Sequence, residues 1–501
     1  MRRGYRRPMP GGMTDRGGWN KPARSRLFEP RTKEHRIKPV SEASTLAAMP
    51  PGEPGATPAS HGFARSLRDN ALGIFPPEAF EQDVVLRKVF GRRQLIISRP
   101  TAIEHILVDN PENYCRTAAG IRILRPLLGK GLLLSTGEDW RQQRRTLAPA
   151  FAPRTLPLLA GHVARAAGAT ARRLAAVSVP VNLLAEMQLL ALQIAGTAMF
   201  SLNQAEPAAG PGVELRALIK DYARHLGRPN LLDFLLPASI PSPRDIARWR
   251  FRRRWLALIG RIIAARRAQG PSPAPGDLFD LLADLDNSRT GTRLAKRSLA
   301  DQVATLLVAG HETTAVALFW SLYLLAEAPA IQERLASEVG PLDLGPDHAA
   351  KILPRLGYTR AVVQEALRLY PPAFTLARRA IHDDIAGGIV IPARAVILIA
   401  PWVLHRHRTL WTDPGTFDPS RFLAPAPPPD RFAYLPFGIG QRVCIGAQFA
   451  LTEATLVLAT MVRTFRIGRA DDAPVTPRAI VTTQPDHAPL FLLKPREHVV
   501  C

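Results

Sequence analysis

The sequence predicts a mainly α fold with a small β portion, an α+β class. Runs rich in Ala, Leu and Arg recur at helical spacing over residues 155–199, 244–268 and 277–285, and an apolar stretch over 299–325 reads as one further helix. Extended runs are few and short: Val84-Val85-Leu86, Leu95-Ile96-Ile97, Gly388-Ile389-Val390-Ile391 and Ala395-Val396-Ile397-Leu398-Ile399 suit a small sheet beside a helical body. No clean linker divides the chain after Pro50, and 46% hydrophobic residues suffice for one large core.

The N-terminus differs from this body. Its first 40 residues carry 12 Lys and Arg against three Asp and Glu, +9 of the overall +24, and few apolar side chains. Residues 1–48 therefore read as a disordered basic tail and 49–501 as the folded domain. The tail holds no apolar run long enough for a signal peptide or a membrane anchor. A tether to nucleic acid or anionic lipid is one reading of it; a dispensable extension is the preferred one, so no nucleic-acid partner is expected. Further along, Arg248, Arg250, Arg252, Arg253, Arg254 and Arg261 surround Trp249 and Trp255. This stretch reads as a solvated helix face, with peripheral membrane contact as the alternative. Proline-rich segments at 233–243, 270–276 and 424–430 read as connections. Three cysteines, Cys115, Cys444 and Cys501, are too few for a disulfide framework and point to a reducing cytoplasm.

Chemistry concentrates at four places. Cys444 stands in Phe437-Gly438-Ile439-Gly440-Gln441-Arg442-Val443-Cys444-Ile445-Gly446. Gly438 and Gly440 allow positive φ and the close approach of a large flat group, Phe437 can cover the sulfur side, and Arg442 can reach an anion. A dinucleotide fingerprint through Gly438-x-Gly440 fails, because Val443 occupies the third glycine position. In the 299–325 helix, polarity collects at Ala309-Gly310-His311-Glu312-Thr313-Thr314, where each polar group needs a partner or water. A simple helix kink is the bland account, and a zinc site starting at His311-Glu312 fails because position 315 is Ala315. Glu365 and Arg368 share one helix face at i, i+3, and Pro371-Pro372 ends that helix. Trp140 and Arg144, at i, i+4, turn two donors to one side.

The ten residues from Phe437 to Gly446 resemble the cysteine-loop signature F-x-x-G-x-R-x-C-x-G of the cytochrome P450 haem-thiolate monooxygenases, and the other motifs stand in that family's order. The resemblance covers about residues 50–495 and points to the soluble bacterial type. It implies the cytochrome P450 fold, with haem b (iron protoporphyrin IX) between a long distal helix and a proximal cysteine loop. Cys444 would ligate the iron. Trp140, Arg144 and Arg378 would hold propionates, with Arg379 the alternative register to Arg378. Phe437, Gly438 and Arg442 would line the proximal side, and Ala309 and Gly310 the distal one. Glu312 and Thr313 would relay protons. Glu365, Arg368 and Arg421 would form a buried network fixing the segment that leads to Cys444.

The implied activity inserts one oxygen atom of O2 into a small apolar substrate, a lipid, terpenoid or steroid-like molecule, with hydroxylation the default. Electrons would come ultimately from NAD(P)H through a separate ferredoxin or flavodoxin-type donor. By family position the pocket walls would be the loop Ala118-Ala119-Gly120-Ile121-Arg122-Ile123-Leu124, Ala373-Phe374-Thr375-Leu376 and Val481-Thr482-Thr483, together with Ala309. A non-oxygenase haem-thiolate isomerase or dehydratase is the alternative, and it has no need of the Glu312-Thr313 pair. A haem sensor or a nucleic-acid-binding protein would leave the distal turn unexplained.

Overall fold

The computed structural model describes Ser66 and residues 69–200, 211–228, 230–236, 240–268, 270, 279 and 296–497. The proposed tail lies outside the described residues, as does the 277–285 helix apart from Phe279. All described residues belong to one compact unit spanning residues 43–501. Strands β1 (Val84–Val89) and β2 (Arg92–Ile97) open it as a hairpin, followed by helix α1 (Pro100–Glu104) and β3 (Tyr114–Arg116). The helical body comprises α2 (Ala118–Leu128), α3 (Gly137–Leu147), α4 (Leu156–Ala175), α5 (Leu183–Phe200), α6 (Pro211–Asp221), α7 (Leu231–Leu235), α8 (Pro243–Ala268), α9 (Lys296–Glu327), α10 (Pro329–Val339), α11 (Ala349–Ile352) and α12 (Gly357–Leu369). Then come β4 (Leu376–Ala380), β5 (Asp384–Ala386), β6 (Ile389–Ile391), β7 (Val396–Ile399) and α13 (Pro401–Leu404). After the cysteine loop follow α14 (Ala447–Thr464), β8 (Phe465–Arg469), β9 (Pro477–Ala479), β10 (Thr483–Pro485) and β11 (Phe491–Pro495).

Local chemistry explains where these boundaries depart from the sequence reading. The helical run over 155–199 is two helices, because the segment holding Pro180 separates α4 from α5 and proline cannot donate to a helix ladder. Residues 118–124, expected as a loop, are helical: the Thr117 side chain accepts from Gly120 N–H and caps α2. The short α7 runs into the start of the proline-rich 233–243 connection, begun by a reciprocal capping box of Asn230 and Asp233.

Helix α9 is the centre of the body. Ala304, Leu307, Ala315, Val316, Leu318, Phe319, Trp320 and Leu322 are buried along it, and it packs against α5, α14, α12, α2 and α8. A helix apolar on every side belongs inside a large core. It is long and apolar enough to cross a membrane, yet most of it is packed within the protein.

The basic stretch does not form one solvated face. Arg248 and Trp255 are fully buried, and Arg252 pairs with Asp301 at 2.6 Å. Arg248 binds Asp233 at 2.6 Å and Asp245 at 3.1 Å, tying α7 to α8. Trp249, in contrast, is exposed.

The main sheet has strand order β1-β2-β7-β4-β3, with β2 and β7 parallel and the other pairs antiparallel. Its β3–β4 register sets Arg116 opposite Arg378 and Cys115 opposite Arg379. Since side chains alternate between faces, Arg116 and Arg378 share one face and Cys115 and Arg379 the other.

Behind the cysteine loop lies a buried ion pair. Arg368 grips Glu365 with two hydrogen bonds of 2.7 Å, both side chains being fully buried. Its remaining donors reach His405 O (2.8 Å), Pro414 O (2.7 Å) and Thr416 O (2.9 Å), while Asp418 N–H donates to Glu365 at 3.0 Å. Arg421 approaches Glu365 to 3.4 Å without a hydrogen bond from Nε, and its Nη2 donates to Asp413 O instead. His405 carries the arrangement onward, since Leu435 N–H donates to its Nε2 at 2.8 Å. The proton of the neutral ring then belongs on Nδ1, which faces Arg368 O at 3.2 Å. Burial keeps the ring neutral, pushing its pKa down to about 3.

Arg368→Leu leaves the Glu365 carboxylate buried without its fork. Unfolding by urea should show a loss of about 3–5 kcal/mol, the usual cost of orphaning one member of a buried pair.

Candidate active site

The path of the cysteine loop is set by its glycines and by one backbone hydrogen bond. Cys444 N–H donates to Phe437 O at 2.9 Å, closing the loop on itself. Gly438 and Gly440 have φ of 68° and 73°, in the left-handed region that favours glycine. The close approach anticipated for a flat group is, at Gly440, an approach to the chain itself: an added Cβ would stand 2.1 Å from Leu107 O. At Gly438 nothing lies within 4 Å of such a Cβ. Phe437 is partly buried and packs on the main core. Cys444 is exposed, yet enough protein surrounds it that desolvation pushes its thiol pKa up. The Gly446 N–H and Arg144 act in the opposite sense, favouring the thiolate.

Four guanidinium groups gather beside this loop. Arg144 donates to Val443 O at 2.8 Å, one residue before the cysteine. Arg442 donates to Ser135 O at 2.8 Å and stacks over the buried Trp140 ring at 4.1 Å. Arg378 and Arg116 join Arg442 and Trp140 in lining a cavity that Ile106, Leu107 and Ile439 also border. Burial lowers the pKa of all four arginines. Repulsion from Arg378 and Arg442 adds to this at Arg116, pushed down to about 9, and repulsion from Arg378 and Arg144 adds to it at Arg442, pushed down to about 10. Glu112 is the acid that offsets part of the charge at Arg442. Of the two registers the sequence left open, Arg378 borders the cavity, while Arg379 donates toward the Cys115 sulfur at 3.5 Å.

The second group of residues lies on α9. Ala309 is exposed and Gly310 and Thr313 are half-buried, although the helix around them is buried. The Thr313 hydroxyl donates to Ala309 O at 2.5 Å, the back-bonding by which a threonine satisfies itself inside a helix, and α9 runs through this turn without a break. Glu312 accepts a hydrogen bond from Gln484 Nε2 of β10, and burial raises its carboxyl pKa. His311 is buried with its pKa pushed down to about 4, also by burial.

The expected pocket walls divide. Thr483 is turned away and fully buried, donating to Pro371 O at 2.7 Å, and Phe374 is buried in a core cluster with Trp402 and Ile96. Arg122 bends back to the Leu232 and Ile240 carbonyls and lies 3.5 Å from Asp245. Each is held by a partner that sequence spacing does not disclose.

This donor set has a definite chemical requirement. Among the described residues, no cluster of three or more His, Cys, Asp or Glu is placed to hold a metal ion. Cys444 can therefore supply one ligand to a metal that brings its own remaining ligands, and the crowded guanidinium groups call for more negative charge than Glu112 supplies at Arg442. A haem with its propionates fits both demands.

Comparison with known proteins agrees. A sequence profile described as cytochrome P450 matches residues 79–492. The chain belongs to the cytochrome P450 family. Cyclooctatin synthase of Streptomyces melanosporofaciens is 32% identical over 432 residues, covering 85% of this chain and 91% of that protein. Pentalenene oxygenase of Streptomyces avermitilis is 30% identical, covering 86% and 94%. The crystal structure of the cytochrome P450DA heme domain superposes with a TM-score of 0.74 at 25% identity, covering 88% of this chain and 97% of that one. The protein is thus a haem-containing oxidoreductase of the P450 monooxygenase class, and such enzymes draw electrons from a donor.

Sequence reasoning missed Arg116, His405 and Gln484. Arg116 was within reach: pairing Tyr114-Cys115-Arg116 against Arg378-Arg379 in a two-residue alternation would have placed it. His405 and Gln484 offered no local signal.

Arg116→Gln removes a buried, mutually repelled charge. Because the charged form is disfavoured in the folded haem-free chain, the variant without haem should unfold at an equal or higher temperature. Arg116 shares the face and cavity of Arg378 and would meet the same propionate, so the haem-loaded variant should release haem about tenfold faster, as befits loss of one charge-assisted hydrogen bond. Haem-transfer kinetics to an acceptor globin, alongside melting curves of both forms, check the two signs.

Proposed function

We propose that this P450 hydroxylates a small apolar, terpenoid-like substrate, taking electrons ultimately from NAD(P)H through a separate ferredoxin or flavodoxin-type protein. The observation that carries the reading is the distal turn, where an acid and an alcohol stand at successive, partly exposed positions of a helix whose neighbouring turns are packed in the core. The names of two relatives support the substrate class, one being cyclooctat-9-en-7-ol 5-monooxygenase and the other pentalenene oxygenase, an alkenol and an alkene as substrates. The overall charge of +24 favours an acidic electron carrier, since opposite charge steers association. We also assign residues 49–501 as the catalytic domain, 1–48 as an accessory tail and the cytoplasm as the site of action.

Haem, when bound, would supply the one-electron and dioxygen chemistry; Cys444 would ligate its iron, and Trp140, Arg116, Arg144, Arg378 and Arg442 would anchor its propionates. The chain's own residues supply position and protons. Gly310 lacks a side chain and leaves room beside Ala309. Thr313 Oγ1 carries a proton held against Ala309 O, from which it can turn toward dioxygen. Glu312, its carboxyl pKa raised by burial, keeps a proton at a pH where an exposed carboxylate has lost it and so replenishes the relay.

Thr313→Ala should incorporate haem normally, because Cys444 and the arginines are untouched, while a larger share of the electrons consumed appears as peroxide and less as product. Measuring NAD(P)H oxidised, peroxide and product together decides it. An unchanged product-to-electron ratio would remove Thr313 from the relay.

A further inference from the structure

Glu312 and Thr313 are neighbours in sequence, so an α-helix turns their side chains about 100° apart. The acid therefore cannot share the threonine's outlook by helix geometry alone, and its direction has to be set from outside α9. Gln484 of β10 does this, donating its side-chain N–H to Glu312 Oε1. The Gln188 side chain of α5 also favours the ionised carboxylate. Strand β10 is itself fastened to α9. Trp320, two turns beyond Glu312, donates its indole N–H to Thr483 O at 2.7 Å, and Thr483 N–H donates to Pro372 O at 3.2 Å. Successive residues of one strand thus grip α9 at two places. Among the described residues no strong cation acts on this carboxyl: the titratable neighbour is His311, 3.9 Å away and neutral near pH 7, and Arg216 of α6 bears on His311.

We propose that Gln484 is a positioning residue: its neutral amide clamps the Glu312 carboxyl, fixing where it lies and how readily it holds its proton. The proposal rests on the reading of Glu312 as a proton group. A donor to a carboxylate favours the ionised form, so losing the donor shifts the equilibrium toward the acid. A buried carboxyl freed of its clamp also gains rotamers and loses a defined place from which to pass a proton.

The test is an infrared pH titration of the haem-loaded protein, following the protonated-carboxyl band that disappears in Glu312→Gln. In Gln484→Met, similar in length but without a donor, the midpoint should rise by about one pH unit, a tenfold gain in proton affinity, as expected for one lost hydrogen bond. Gln484→Lys restores a donor and should return the midpoint to the wild-type position or below it. Gln188→Met should shift it in the same direction as Gln484→Met and by less, which provides a second reading should Gln484→Met fold poorly. A midpoint in Gln484→Met equal to wild type would overturn the clamp. If the midpoint moves but Glu312→Gln leaves the product-to-electron ratio unchanged, the clamp stands and the relay falls.

Discussion

The bidentate pair of Glu365 and Arg368 is the constraint on which the cysteine loop depends. A buried ion pair repays its desolvation only when the remaining donors and acceptors are also used. Arg368 spends its Nη1 and Nη2 on three carbonyls of the segment from His405 to Thr416, and Glu365 takes the Asp418 N–H. The chain after α13 is thereby wrapped around one fixed fork. His405 passes the constraint on, accepting from Leu435 two residues before Phe437, and Tyr434 seals the same stretch by donating to Gln364 O at 2.8 Å. From Leu435 the backbone has little freedom before Cys444: two left-handed glycines and the Cys444 to Phe437 hydrogen bond close the turn.

Stability and function pull in opposite directions at the guanidinium cluster. Arg116, Arg144, Arg378 and Arg442 come from a strand, a helix, a second strand and the cysteine loop, so the fold converges on the site from four sides. Burial and like charge disfavour that convergence in the chain alone. It is tolerable because each arginine also has a structural partner or a place in the sheet, as Arg442 has in Ser135 O and the Trp140 ring. The group they would share carries the compensating charge, and cofactor binding and folding are therefore linked.

Much of this was legible in the sequence, and the parts that were share a cause. The cysteine loop, the distal turn and the E-x-x-R pair are local, and their residues meet within a few positions along the chain. Positive φ at Gly438 and Gly440 followed from glycine in a tight loop. What stayed hidden depends on long-range pairing. Thr117 turned an apparent loop into a helix by capping it, and Arg122 then left the pocket for the α7 carbonyls. Arg421 does join Glu365 as an ion pair at 3.4 Å, but its hydrogen bond goes to Asp413 O, a partner the sequence did not disclose. The arginine-rich stretch mixes exposed side chains with the buried Arg248 because two aspartates, one on α7 and one on α8, capture that residue. Burial of a polar group is decided by its partner, and the partner is rarely adjacent.

On the proposed reading, one thiolate, Cys444, would hold the metal of a cofactor that the arginines anchor. The absorption spectrum of the reduced, CO-bound protein tests it most directly, compared between wild type and Cys444→His. The wild type should show the red-shifted Soret band of thiolate ligation, and the variant should retain haem but lose that band. A band that persists in Cys444→His, or one that is missing from a haem-loaded wild type, would contradict the account.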